Sequence, residues 1–183
     1  RMNYTLPYYQ TEGNICWIKD TNWIFERTEY EQMVSKFREF VNMKKLHSYS
    51  KGDILDVETC AYTLADLTLE GASILEKHKE DFNEILLHVL SSDLIIRPLM
   101  NLLQYHTSKE ETIRLYCKAI EVMWKHGDDT VKNVVDVTIL ERLSDEESIW
   151  ERFGLFISTE FKNYINEEVL RLNLMMGGAK PLQ

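Results

Sequence analysis

Apolar residues recur at spacings of three and four along most of the chain, and the clearest run lies between Lys109 and Glu147. Ile113, Tyr116, Cys117, Ile120, Met123 and Trp124 fall on one face of a helix. Val131, Val134, Val135, Thr138 and Ile139 repeat the pattern in a second helix, and each stripe needs a surface to bury against, the nearest being its neighbour. His126-Gly127-Asp128-Asp129 reads as the corner between them. Gly127 is suited to end the first helix in the left-handed conformation, and Asp128 or Asp129 to cap the second with negative charge at its positive dipole end.

The same patterning organises the rest of the chain. Residues 1 to 27 are the least helical, with aromatic runs Ile15-Cys16-Trp17-Ile18 and Trp23-Ile24-Phe25 on either side of Asp20-Thr21-Asn22. They fit a β-hairpin, or equally an extended arm whose tryptophans dock on a helical body. Thr28-Glu29-Tyr30-Glu31 has the form of a capping box, followed by a stripe of Met33, Phe37, Phe40 and Val41, with Lys44-Lys45 complementing the helix end. His47 to Asp53 reads as a mobile loop. Helical spacing returns from Asp56 through Cys60, Leu64, Leu67, Ile74 and Leu75, with Thr68 and Gly71 arguing against one unbroken helix. After the charged patch from Lys77 to Asp81, Phe82, Ile85, Leu86, Val89 and Leu90 continue the pattern.

Ser91-Ser92-Asp93 predicts a boundary, and Pro98 a helix that begins near Arg97 and is covered on most sides. Thr107-Ser108 with Glu111, and Ser144-Asp145-Glu146-Glu147, predict two more capped starts. The latter leads into a stripe of Ile149, Trp150, Phe153, Phe156 and Ile157. A last helix is expected from about Glu160 to Leu172, with Phe161, Tyr164, Ile165, Val169 and Leu172 inward. The reading is an all-α fold, an irregular stack of antiparallel helix pairs forming one domain over 1–172, with 173–183 a flexible tail. The paired corners resemble the logic of helical repeats, but no signature residues recur at a fixed period.

Composition supports this class. Seven glycines and three prolines among 183 residues are too little punctuation for a many-turned β fold. Three dispersed cysteines, Cys16, Cys60 and Cys117, suggest a reducing, cytoplasmic setting, and no apolar stretch is long enough to cross a membrane. The net charge of −9 repels polyanions, so direct nucleic-acid binding is disfavoured and basic partners are favoured.

Candidate chemistry is sparse. Glu84 and His88 lie four apart, and His126 adjoins Asp128 and Asp129, but no metal-binding signature occurs, so no metal and no cofactor is expected. Cys60 and Cys117 fall on core faces, where a thiol is inert, and neither a nucleophile elbow nor a phosphate loop is present. The sequence therefore points away from an enzyme. Acids cluster at helix starts instead, at Asp128, Asp129, Asp145, Glu146 and Glu147, where capping explains them as well as an interaction face does.

Arg97-Pro98-Leu99, the run from Gly127 to Glu141, and Leu143-Ser144-Asp145-Glu146 together resemble a family of small acidic helical bacterial proteins associated with polymorphic toxins. That resemblance, carried between Leu94 and about Glu167, implies an immunity protein that occludes the active site of a cognate basic toxin domain, such as a nuclease. Asp128, Asp129, Asp145, Glu146 and Glu147, with Trp17 and Trp23 as aromatic anchors, are the residues expected to meet that partner. An adaptor with a concave helical surface is the alternative, and an enzyme with an unrecognised carboxylate or metal site a third reading.

Overall fold

The structure, a computed structural model, describes residues 9–12, 15–18, 24–106, 108–176 and 180–183. Its body is all-α. The helices are α1 (Arg27–His47), α2 (Val57–Ala65), α3 (Gly71–Phe82), α4 (87–105), α5 (Glu110–His126), α6 (129–144), α7 (Glu147–Gly154) and α8 (Thr159–Met176). A short antiparallel meander precedes them, β1 (Tyr9–Glu12), β2 (Ile15–Ile18) and β3 (Ile24–Glu26), with Trp17 opposite Ile24. Of the two forms open to the aromatic runs, the hairpin is the one adopted, and β1 extends it upstream.

The organising pair is as the spacing predicts. Ile113, Tyr116, Cys117, Ile120 and Met123 of α5 and Val131, Val134, Val135 and Ile139 of α6 are all buried. Leu94, Ile95, Leu99 and Leu103 make α4 a central helix beside them. Trp124 is only half-buried, its ring in tilted contact with Phe161 and Tyr164 of α8, ring centres 4.9 Å apart in each pair. Ile149, Trp150 and Phe153 of α7 and Phe161 and Ile165 of α8 close the far side of the core.

Four local expectations fail for identifiable reasons. The first is at Ser91-Ser92-Asp93, which lies inside α4. Both serine hydroxyls donate back to the His88 carbonyl, and Asp93 pairs with Arg97 at 2.6 Å, so residues that usually open a turn stay in the helix. Pro98 has no N–H for the carbonyl four residues back and its ring crowds it, and the turn before it widens into a π segment, Ser92–Ile96. The helix thus begins ten residues earlier than Arg97, at Leu87. A second π segment, Val135–Leu140, interrupts α6.

The second failure concerns α1. Its N-cap is Glu26, whose N–H donates to Glu29 at 3.4 Å, so Thr28 is not the cap. Its buried face is Tyr30, Val34, Asn42 and Leu46, while Met33 and Phe40 lie largely exposed. Polar grips set this orientation. Asn42 donates to the Asp66 carbonyl at 2.6 Å, and Arg38 reaches the Asp66 and Thr68 carbonyls, satisfying the free end of α2.

Third, Gly127 is not left-handed. Its backbone is extended (φ −63°, ψ 147°), because the corner forms a parallel bridge with Leu55. Leu55 donates its N–H to the His126 carbonyl at 2.7 Å, and Asp128 donates to the Leu55 carbonyl at 3.0 Å. A Cβ at residue 127 would sit 2.2 Å from the Met123 carbonyl oxygen and 2.7 Å from a Val131 methyl. Glycine is needed here for closeness and not for a special φ. The bridge also holds the end of the 47–53 loop, which was expected to be mobile, and within that loop Asp53 accepts from the Ser50 N–H and hydroxyl at 2.6 and 2.9 Å.

Fourth, the last residues are docked, contrary to the expectation of a fraying tail. Leu182 is buried against Gly154, and Trp150 donates its indole N–H to the Lys180 carbonyl at 2.8 Å.

Gly127→Ala should destabilise the protein by roughly 3 kcal/mol, since the clash is with backbone and a packed β-branched side chain. Thermal or denaturant unfolding measures it, and a loss below about 0.5 kcal/mol would mean the corner is not packed as described.

Candidate acidic interaction face

Two helix starts meet at the Leu55–Gly127 bridge, and the residue after each bridge partner is an aspartate. Asp56 accepts from the Thr59 N–H at 2.8 Å and caps α2; Asp128 accepts from the Val131 N–H at 2.8 Å and caps α6. Because the backbones are bonded to each other, the two carboxylates sit at one edge, with Asp53 just before and Glu58 and Asp129 just after them. Backbone donation from Thr59, then its hydroxyl, holds the Asp56 carboxyl below its ordinary range. Ser50 does the same for Asp53, with a smaller contribution from His126. Both stay charged well into mild acid. Among the described residues no lysine or arginine forms an ion pair with Asp53, Asp56, Glu58, Asp128 or Asp129.

An apolar group stands among these acids. In the extended stretch 53–56, alternation sends Leu55 into the core at 0% exposure and turns Ile54 outward at 74%. Ile54 is the most exposed large apolar side chain among the described residues. Tyr49 backs the same corner, its ring 5.5 Å from that of His126.

The residues expected to form one acidic face do not come together. Asp128 and Asp129 open α6, whereas Asp145, Glu146 and Glu147 follow its end, about 24 Å away at 1.5 Å per residue. The distant group is also largely neutralised: Asp145 pairs with Arg142 at 2.7 Å, and Glu147 pairs with Lys180. Asp145 does not cap α7, whose N-cap is Glu146 without a side-chain bond. Trp17 lies in β2, and Trp23 lies outside the described residues. Glu84 precedes α4 and so shares no helical face with His88, whose Nδ1 instead lies 2.6 Å from the Thr138 hydroxyl. Among the described residues no three His, Cys, Asp or Glu side chains gather into a metal-binding group.

Other titratable groups lie deeper. Burial pushes the Cys60 and Cys117 thiols far up, and the charges of Asp128 and Asp56 add to the effect at Cys60, so neither supplies a thiolate near neutral pH. Tyr164 donates to the Asp136 carboxylate, its hydroxyl 2.8 Å from both oxygens, and burial first, then Glu168, raises the carboxyl above its ordinary value of 3.8 in spite of that bond. Asp136 was not singled out in the sequence, where only its place in a valine-rich helix marks it. Ile54, Asp53 and Asp56 were missed too, though Leu55-Asp56 before a helical pattern has the same form as Gly127-Asp128.

No helix among the described residues is long and apolar enough to cross a membrane. Residues 63–172 match the family described as a domain of unknown function (DUF7674). No curated protein and no solved structure matches the chain.

Asp136→Asn should stabilise the protein at pH 7. A carboxyl raised in the folded state has its full stability below about pH 3.8, where both states hold the proton, and loses it as pH rises through the folded value. The gain in Tm should therefore shrink toward zero as pH falls below about 4. A gain that is independent of pH would show that the carboxylate is not desolvated.

Proposed function

The chain belongs to the DUF7674 family, which is defined by a domain and not by an activity, and we propose that it is a non-catalytic binding protein whose acidic corner docks on a basic protein partner. The observation carrying this reading is the bridged corner itself: five carboxylates that no lysine or arginine pairs with among the described residues, set around the outward Ile54. A solvated acid by itself needs no partner. Here three of the acids, Asp53, Asp56 and Asp128, are fixed by backbone hydrogen bonds, so their order is already present in the free protein, and an exposed aliphatic side chain stands where a partner could desolvate it. The overall charge of −9 adds long-range steering toward a basic surface.

The resemblance to immunity proteins gives the partner a class, a toxin domain made by the same cell and neutralised by occlusion. Such inhibition needs no catalytic group. Carboxylates set against a cationic active site raise the association rate and fix register, while a few apolar contacts slow dissociation.

Co-expression with the protein encoded beside this chain's gene tests the proposal. Growth should be restored by the wild-type chain and lost with Glu58→Lys/Asp129→Lys, whose residues are exposed and do not cap. In vitro, the double variant should associate at least about tenfold more slowly at low salt, with a flattened salt dependence, while Tm falls by only a few degrees, the cost of reversing charge in the first turns of α2 and α6. Protection and association equal to wild type in that variant would remove the corner from the interface, and no protection by the wild-type chain would refute the immunity reading.

A further inference from the structure

The segment 180–183 is held in a manner suited to reading an extended peptide. Asn166 of α8 uses both halves of its amide on one residue, accepting from the Leu182 N–H at 2.7 Å and donating to the Leu182 carbonyl at 2.9 Å. Trp150 of α7, 2% exposed, donates its indole N–H to the Lys180 carbonyl, and Lys162 donates to the Gln183 carbonyl. These contacts are made to main-chain atoms, so any extended segment could form them. Pro181 has no N–H to leave unpaired and favours the extended form in Lys180 before it.

Side chains add selectivity to this frame. Leu182 is 6% exposed and lies with its Cδ2 3.0 Å from where a Cβ on residue 154 would be, so Gly154 opens the seat it fills. Lys180 pairs with Glu147 at the start of α7. An aliphatic side chain in a seat, a cation two residues before it, and a main chain bonded at residues 180, 182 and 183 together define a recognisable pattern.

We propose that the groove between α7 and α8 is a docking site for an extended partner segment with a basic residue, proline and then an aliphatic residue, and that residues 180–183 occupy it in cis as a competitive plug. Only three residues separate Met176 from Lys180, so the tethered copy is presented at high effective concentration. A partner segment must displace it, which lowers apparent affinity by the fraction of time the groove is closed. The groove is independent of the acidic corner, which lies at the other end of α6.

Fluorescence anisotropy of a labelled peptide with the sequence of residues 179–183, titrated with the full chain, tests this. Leu182→Asp in the chain should free the groove and tighten peptide binding at least about tenfold over wild type. Asn166→Ala on that background should remove the gain. No gain in a Leu182→Asp chain that melts like wild type, or a gain that survives Asn166→Ala, would overturn the proposal. Should Leu182→Asp fail to fold, Lys180→Glu replaces it, breaking only the exposed contact to Glu147, and the same outcomes decide. Concentration-dependent dimerisation of the wild-type chain that Leu182→Asp abolishes would give the groove to a second copy's tail and likewise overturn the partner reading.

Discussion

Two hydrogen bonds between Leu55 and the corner at residues 126–128 join parts of the chain 72 positions apart, and most of what distinguishes this fold is set by them. The corner that makes them leaves no room for a Cβ on Gly127, which would run into the Met123 carbonyl and the Val131 side chain. Once made, they fix where α2 and α6 begin and place their capping aspartates side by side. They also decide which way the extended stretch faces: Leu55 becomes core and Ile54 becomes surface. The charged corner is thus a consequence of a packing constraint, with no need for the acids to hold themselves together.

Charge is distributed unevenly around this frame. The acids beyond the end of α6 are engaged within the chain, Asp145 by Arg142 and Glu147 by Lys180, while those at its start have no cationic partner among the described residues. An exposed ion pair adds little to stability, but it removes charge that a partner would otherwise feel. Lys180 is itself a basic group set against an acidic helix start, a small version, within one chain, of the contact proposed for a separate partner.

Periodicity made the central helices legible because burial there is one-sided and regular: the α5 stripe from Ile113 to Met123 is core almost residue for residue. Asp128 was readable as a cap because the N–H it accepts from, that of Val131, is three residues away in sequence. Legibility ended where a distant group decides. Nothing near Gly127 reveals Leu55, and nothing near Met33 and Phe40 reveals that carbonyls at Asp66 and Thr68 turn α1 the other way. Ser91-Ser92 misled because hydroxyls that open turns also bond back to a helix carbonyl, and Asp145 misled because an arginine three residues earlier takes the carboxylate a cap would use. The docked tail has no periodicity at all; its seat is defined by Gly154, Trp150 and Asn166, spread over two helices.

A corner built this way is rigid before any partner arrives, and amide hydrogen exchange measures that directly. The Leu55 and Asp128 N–H groups, both donors across the bridge, should exchange only through global unfolding, with protection equal to that of Ile120 in the core of α5. Exchange of these two amides within minutes, while Ile120 remains protected, would contradict a preformed corner.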